Sequence, residues 1–138
     1  MIKRVFVDSD IVLDVALARE PFLEASRLVL AVMENGKSLG YLSSNSITNI
    51  YYILRKAGGD LKARAFIVSI MKYMTVIPVD QNIILSALNS KFSDFEDAVQ
   101  YNSALESQCS CIVTRNIEDY KLSKLNVYLP IEFLNLFE

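Results

Sequence analysis

Short apolar, β-branched runs alternate along this chain with stretches in which apolar residues recur at helical spacing, and that alternation limits the fold more than any other feature. Residues 2–7, 38–42, 75–79, 111–114 and 127–129 read as strands. Residues 11–18, 22–33 and 61–74 read as helices, with Pro21 suited to the first turn of the second. Ser44 or Ser46 can cap a helix reaching about Lys56, and Asp80 one reaching about Asn89. Asn35-Gly36 and Gly58-Gly59 are helix stops. Ser93 at the N-cap and Glu96 at N3 match a capping box for a helix running to about Ser107. Residues 117–122 read as a turn or short helix, and Pro130 opens a last helix over 131–136. Strands alternating with helices imply a three-layer α/β/α sandwich, with a central, mainly parallel sheet of four to five strands. The 138 residues suit one domain spanning 1–138, and 52% hydrophobic residues provide ample core material.

Composition excludes several chemistries. The chain has no histidine, which rules out Ser-His-Asp and Cys-His catalysis within it and removes the usual imidazole ligands of zinc and copper. Cys109 and Cys111 are too few for a disulfide framework or a cysteine zinc site and suit a reducing, cytoplasmic setting. Lys3 and Arg4 precede an apolar run that Asp8 cuts off after three residues, too short for a secretory signal. No apolar run is long enough to suggest a membrane span. A net charge of −2 gives no global attraction for a polyanion, which would need a local patch or a bound cation.

Ligands on parallel sheets bind outside the carboxyl ends of the strands. Asp8 closes the first strand at that edge and is assigned a functional role. Asp10 reads better as a helix cap, and Asp14 as solvated surface. Asp94 and Glu96 suit the positive end of the helix they open, whereas Asp97 shares the apolar side of that helix with Tyr101 and Ala104 and calls for a functional explanation. Thr114, Arg115, Asn116 and Asp119 form a polar cluster straight after a buried strand, and Asn45 and Asn49 follow the second strand. Convergence of Asp8, Asp97 and Asp119 would set three carboxylates against one another, a conflict that a divalent cation relieves. Oxygen-only ligation selects Mg²⁺ or Mn²⁺, and such a site suits phosphodiester hydrolysis without histidine, with Arg115 or Lys121 holding a flanking phosphate.

Three segments taken together, VFVDSDIVLDVALAREPF, FEDAVQYNSAL and IVTRNIEDY, resemble in order and spacing the PIN-domain nucleases, including the VapC-like toxins of bacterial toxin–antitoxin pairs. The resemblance covers essentially the whole chain. It implies that Asp8, Asp97 and Asp119 are catalytic metal ligands, with Thr114 and Asn116 supporting them. It further implies Mg²⁺- or Mn²⁺-dependent cleavage of single-stranded RNA, a homodimer, and inhibition by a small antitoxin. The chain departs from the family in the stretch SSNSITNIYYILRK, where Asn49 stands at the position usually held by Glu. Asp10, Asp94 or Glu96 would have to restore that charge.

Asn49 also leaves open a catalytically degenerate PIN domain that binds RNA or protein without cutting. The DxD opening is similar to haloacid-dehalogenase phosphatases, with Asp8 as nucleophile and Asp10 as general acid, but Ile11-Val12 replaces the expected Gly-Thr. A receiver domain fits less well, because no aspartate closes a central strand beside a suitable Thr and Lys pair.

Overall fold

The structure is a computed structural model and describes residues 3–137. Five parallel strands form one sheet: β1 (Arg4–Val7), β2 (Leu39–Ser43), β3 (Met74–Ile77), β4 (Cys111–Val113) and β5 (Asn126–Tyr128). Their order is β3-β2-β1-β4-β5. The chain therefore builds outward from β1 on one side, then crosses to build β4 and β5 on the other. The helices are α1 (Ser9–Ala16), α2 (Leu23–Glu34), α3 (Ser44–Gly58), α4 (Asp60–Ile70), α5 (Gln81–Leu88), α6 (Phe95–Glu106) and α7 (Pro130–Asn135), with a 3-10 turn at Ile117–Tyr120.

Alternation along the strands divides the core. Val5, Val7, Leu42, Cys111 and Val113 face one side and pack with buried residues of α1, α2, α3, α4 and α7. Phe6 and Ile112 face the other, against Tyr101 and Ala104 of α6 and Tyr120 of the 3-10 turn. A second layer on that side joins Ile83 and Ala87 of α5 to Ala98 and Val99 of α6. This is the three-layer α/β/α sandwich that the sequence implies, with every strand parallel.

The differences lie at element ends. Ile2, expected in the first strand, lies outside the described residues. The helix expected to reach residue 74 ends at Ile70, because Met74 already belongs to β3 opposite Gly40. Gly40 has no side chain, and the Met74 Sδ occupies that space, 2.5 Å from where a Cβ would stand. Pro21 precedes α2, whose N-cap is Phe22, and does not sit in its first turn. Helix caps also shift. Asp8 caps α1, not Asp10, and Ser43 caps α3, not Ser44 or Ser46. In both places the chain passes from strand to helix with almost no loop, so the residue leaving the strand has the extended backbone a cap requires. Asp94, not Ser93, caps α6: its Oδ1 accepts from the Asp97 N–H at 3.0 Å. Glu96 is thereby one position short of N3, and the expected capping box does not form.

Candidate active site

The strand order reverses between β1 and β4, and a crevice opens there at the carboxyl ends. Asp8 stands at its floor. Its N–H donates to the Val113 carbonyl at 3.0 Å, which extends the β1–β4 ladder by one residue and holds the side chain at the sheet edge. Only 5% of Asp8 is exposed. Its Oδ2 accepts from Thr114 Oγ1 at 2.9 Å and from the Tyr120 hydroxyl at 3.1 Å, and its Oδ1 accepts from the Asp10 N–H at 3.1 Å. Burial pushes this carboxyl above its ordinary range, with the Asp10 charge adding and the three donors opposing. A carboxylate has roughly four lone-pair sites. Three are engaged, and the free one lies on Oδ1.

Behind Asp8 is a buried amide that sequence reasoning misses. Gln100, 1% exposed on α6, donates from Nε2 to the Tyr120 hydroxyl at 3.1 Å. Its Oε1 accepts from the Ser9 N–H at 3.3 Å and Ser46 Oγ at 3.4 Å. Burial, then the charges of Asp8 and Asp97, hold the Tyr120 hydroxyl protonated far above its ordinary range, so it remains a donor to Asp8. Tyr120→Phe strips Asp8 of one donor and leaves Gln100 Nε2 without its acceptor. We expect it to cost about 1–2 kcal/mol in urea denaturation.

The cleft in front of Asp8 is lined by Asp10, Asn49, Asp94, Glu96, Asp97 and Arg19, among others. The Asp97 carboxyl is pushed up from 3.8 to about 7, first by partial burial and then by the charges of Asp8, Asp94, Asp119 and Glu96. Glu96 is raised as well, by partial burial and Asp94. Asp119 stands exposed on the 3-10 turn, near enough for its charge to act on Asp97 and Tyr120. Asn116 is exposed, and its N–H supports Thr114 by donating to Oγ1 at 3.1 Å. Among the described residues, no three Asp, Glu or Cys side chains are drawn together tightly enough to enclose an ion unaided. The donors nonetheless suit a hard cation: all are oxygen, they repel one another, and Asp8 keeps one free lone pair. Mg²⁺ keeps several waters and takes only one or two carboxylates, so Asp8 and Asp97, which line the same cleft, would be enough to hold it with water.

Two expectations change. Asp14 is not surface: it is wholly buried. Arg115, expected at a flanking phosphate, donates from Nε to Asp14 Oδ2 at 2.7 Å and from its terminal nitrogen to Oδ1 at 3.1 Å. Its guanidinium also lies 3.9 Å from the Phe22 ring centroid. Ser26 Oγ adds a third hydrogen bond to Asp14, at 3.0 Å. The short helix α1 packs against α2 and α3, and Ser26 of α2 and Arg115 cover even this polar position. The cation in the acidic cleft is instead Arg19, which the sequence shows only as part of a break before Pro21. Cys109 and Cys111 are free and buried, and burial pushes the Cys109 thiol up to about 12, which leaves it inert.

The fold, the Asp8 floor and the acidic cleft define an α/β domain with an oxygen-donor site at its switch point. A PIN-domain family model matches residues 4–118, and the chain belongs to the PIN-domain family. It is similar to ribonuclease VapC1 of Aquifex aeolicus, 28% identical over 123 residues that cover 86% of this chain and 85% of that protein. Among solved structures it resembles a chain of VapBC2 from Rickettsia felis bound to a promoter DNA fragment, with a TM-score of 0.71 at 11% identity, covering 91% of this chain and 98% of that one. It also resembles Mycobacterium tuberculosis VapC20, a sarcin–ricin-loop-cleaving toxin, with a TM-score of 0.63 at 15% identity, covering 78% of this chain and 86% of that one. No helix among the described residues is long and apolar enough to cross a membrane.

Proposed function

We propose that this PIN domain is a divalent-metal-dependent ribonuclease that hydrolyses phosphodiester bonds of single-stranded RNA. It would act in the cytoplasm as the toxin of a toxin–antitoxin pair, as a homodimer restrained by a small antitoxin. The observation that carries the reading is Asp8: a buried carboxylate at the switch point, with three donors fixed on it and one lone pair open to an acidic cleft. The similarity to a ribonuclease over most of both chains supports the same activity.

Asp8 and Asp97 would hold Mg²⁺ or Mn²⁺, with Asp119 contributing from the rim. The bound cation would acidify water and neutralise charge on the phosphodiester. The chain's own residues prepare this. Thr114 and Tyr120 fix the Asp8 carboxylate through Oδ2 and leave Oδ1 the less engaged oxygen, and Gln100 holds Tyr120 in turn. Asp97 holds a proton below about pH 7, and a cation must displace it. Asn49 lines the same cleft without charge, and Asp10, Asp94 and Glu96 would supply the charge that it lacks.

A second reading has its own observation. With Asn49 in place, and no three acids grouped tightly among the described residues, the domain could bind RNA without cutting it. A fluorogenic single-stranded RNA separates the two. The nuclease cuts it with Mg²⁺ or Mn²⁺, stops in EDTA, and is disabled by Asp97→Asn. Cutting that persists in EDTA and in the variant would sink the mechanism. RNA binding with no cutting under any metal would favour the degenerate domain.

A further inference from the structure

Arg19 has no structural debt that explains it. Its guanidinium lies 3.7 Å from Asp10 Oδ1 and 3.8 Å from Asp14 Oδ1, both longer than an N–H···O hydrogen bond. Asp14 does not need it, because Arg115 and Ser26 already donate to both Asp14 oxygens. The Asp10 side chain is 38% exposed, so water solvates that charge and the pairing is worth little. The backbone at Arg19 is nevertheless anchored. Its N–H donates to the Asp14 carbonyl at 2.9 Å, and the Ala18 N–H donates to Val15 at 3.4 Å, the paired bonds of a Schellman turn closing α1. That turn puts Ala18 at a φ of 51°, a left-handed conformation usually left to glycine. Its outcome is a guanidinium at the mouth of the acidic cleft, the one basic side chain among the described residues that line it.

We infer that Arg19 is the residue that binds a substrate phosphate, a role that rests on the ribonuclease reading above. A polyanion approaching Asp8, Asp10, Asp94, Glu96 and Asp97 meets repulsion, and Arg19 is the positive group that lines the cleft with them. Its planar fork can give two parallel N–H bonds to a phosphodiester. The phosphate is one that flanks the scissile bond, since Arg19 lies at the cleft mouth and Asp8 at its floor.

The test measures binding of labelled single-stranded RNA by anisotropy in Ca²⁺ across a salt series, and cleavage in Mn²⁺. Arg19→Ala should weaken binding about tenfold and lower the slope of log affinity against log salt by about one. KM should rise with little change in kcat. Arg19→Lys should keep the salt slope and recover part of the affinity. Arg27→Ala, which removes the same charge on α2 beside Glu24, should do neither. If Arg19→Ala cuts and binds RNA as the wild type does, or binds RNA more tightly, Arg19 is only a counter-ion and the assignment fails alone. A wild-type chain that neither binds nor cuts RNA overturns the ribonuclease reading, and this assignment with it.

Discussion

Asp14→Ala should lower stability by about 3 kcal/mol, because it leaves the largely covered Arg115 guanidinium without its fully buried carboxylate partner. Arg115 would keep its place over Phe22 but lose both hydrogen bonds that satisfy its guanidinium, and Ser26 Oγ would lose its acceptor in a site with no exposure. In a domain of this size the unfolding midpoint should fall by about 10 °C in calorimetry. Arg115→Met alone should be nearly as costly, since it leaves the Asp14 carboxylate buried with only Ser26 and the Arg19 guanidinium at 3.8 Å. The double variant Asp14→Ala, Arg115→Met should be milder than the sum of the two, because an ion pair replaced whole by apolar groups is often close to neutral. Equal and additive losses would mean the pair is not coupled as the geometry requires. RNA cleavage should survive in whatever fraction stays folded, which separates this ion pair from the cleft.

Asp8→Asn should reverse that pattern. It removes the charge that the proposed cation site needs, and cleavage should fall at least about a hundredfold, no less than the loss of a ligand's supporting partner. Stability should change little. Burial raises the Asp8 carboxyl above its ordinary range, so the native fold already bears a cost for keeping that charge at the sheet edge. An amide relieves the cost but turns one oxygen into a donor. If that donor takes the Oδ1 side, the remaining oxygen keeps both the Thr114 and the Tyr120 bonds, and only the bond from the Asp10 N–H is lost. An unfolding midpoint within a few degrees of the wild type, with cleavage lost, is the expected combination. A large loss of both would make Asp8 chiefly a structural cap for α1.

The sheet was legible because its signal is local. Alternation of short apolar runs with helical periodicity placed all five strands, and the acid that interrupts VFVDSD marked the carboxyl edge correctly. Asp97 was legible for the same reason, as an acid on the buried side of its helix, and it now lines the cleft opposite Asp8's helix. Cap positions slipped by one to three residues, because the sequence does not show where a strand hands over to a helix without a loop. Asp14 reads as surface because its partner Arg115 lies 101 residues away, just beyond the carboxyl end of β4, and nothing in the local pattern signals that contact. Tyr120 and Gln100 carry no local signal of their place, because only the fold brings them to Asp8 and its neighbours, across 112 residues in the case of Tyr120. Arg19 owes its position to a backbone turn at an alanine, where composition would have favoured glycine.

Calorimetric titration with Mn²⁺ at pH 6 and pH 8 tests the centre of this account most directly. Below about pH 7 the Asp97 carboxyl carries a proton that the cation must displace, so affinity should rise with pH up to about 7 and then level off. Saturable binding that weakens by about tenfold at pH 6, releases close to one proton there and almost none at pH 8, and disappears in Asp8→Asn is the predicted result. Binding that is unchanged in Asp8→Asn, or no binding at either pH, would contradict it.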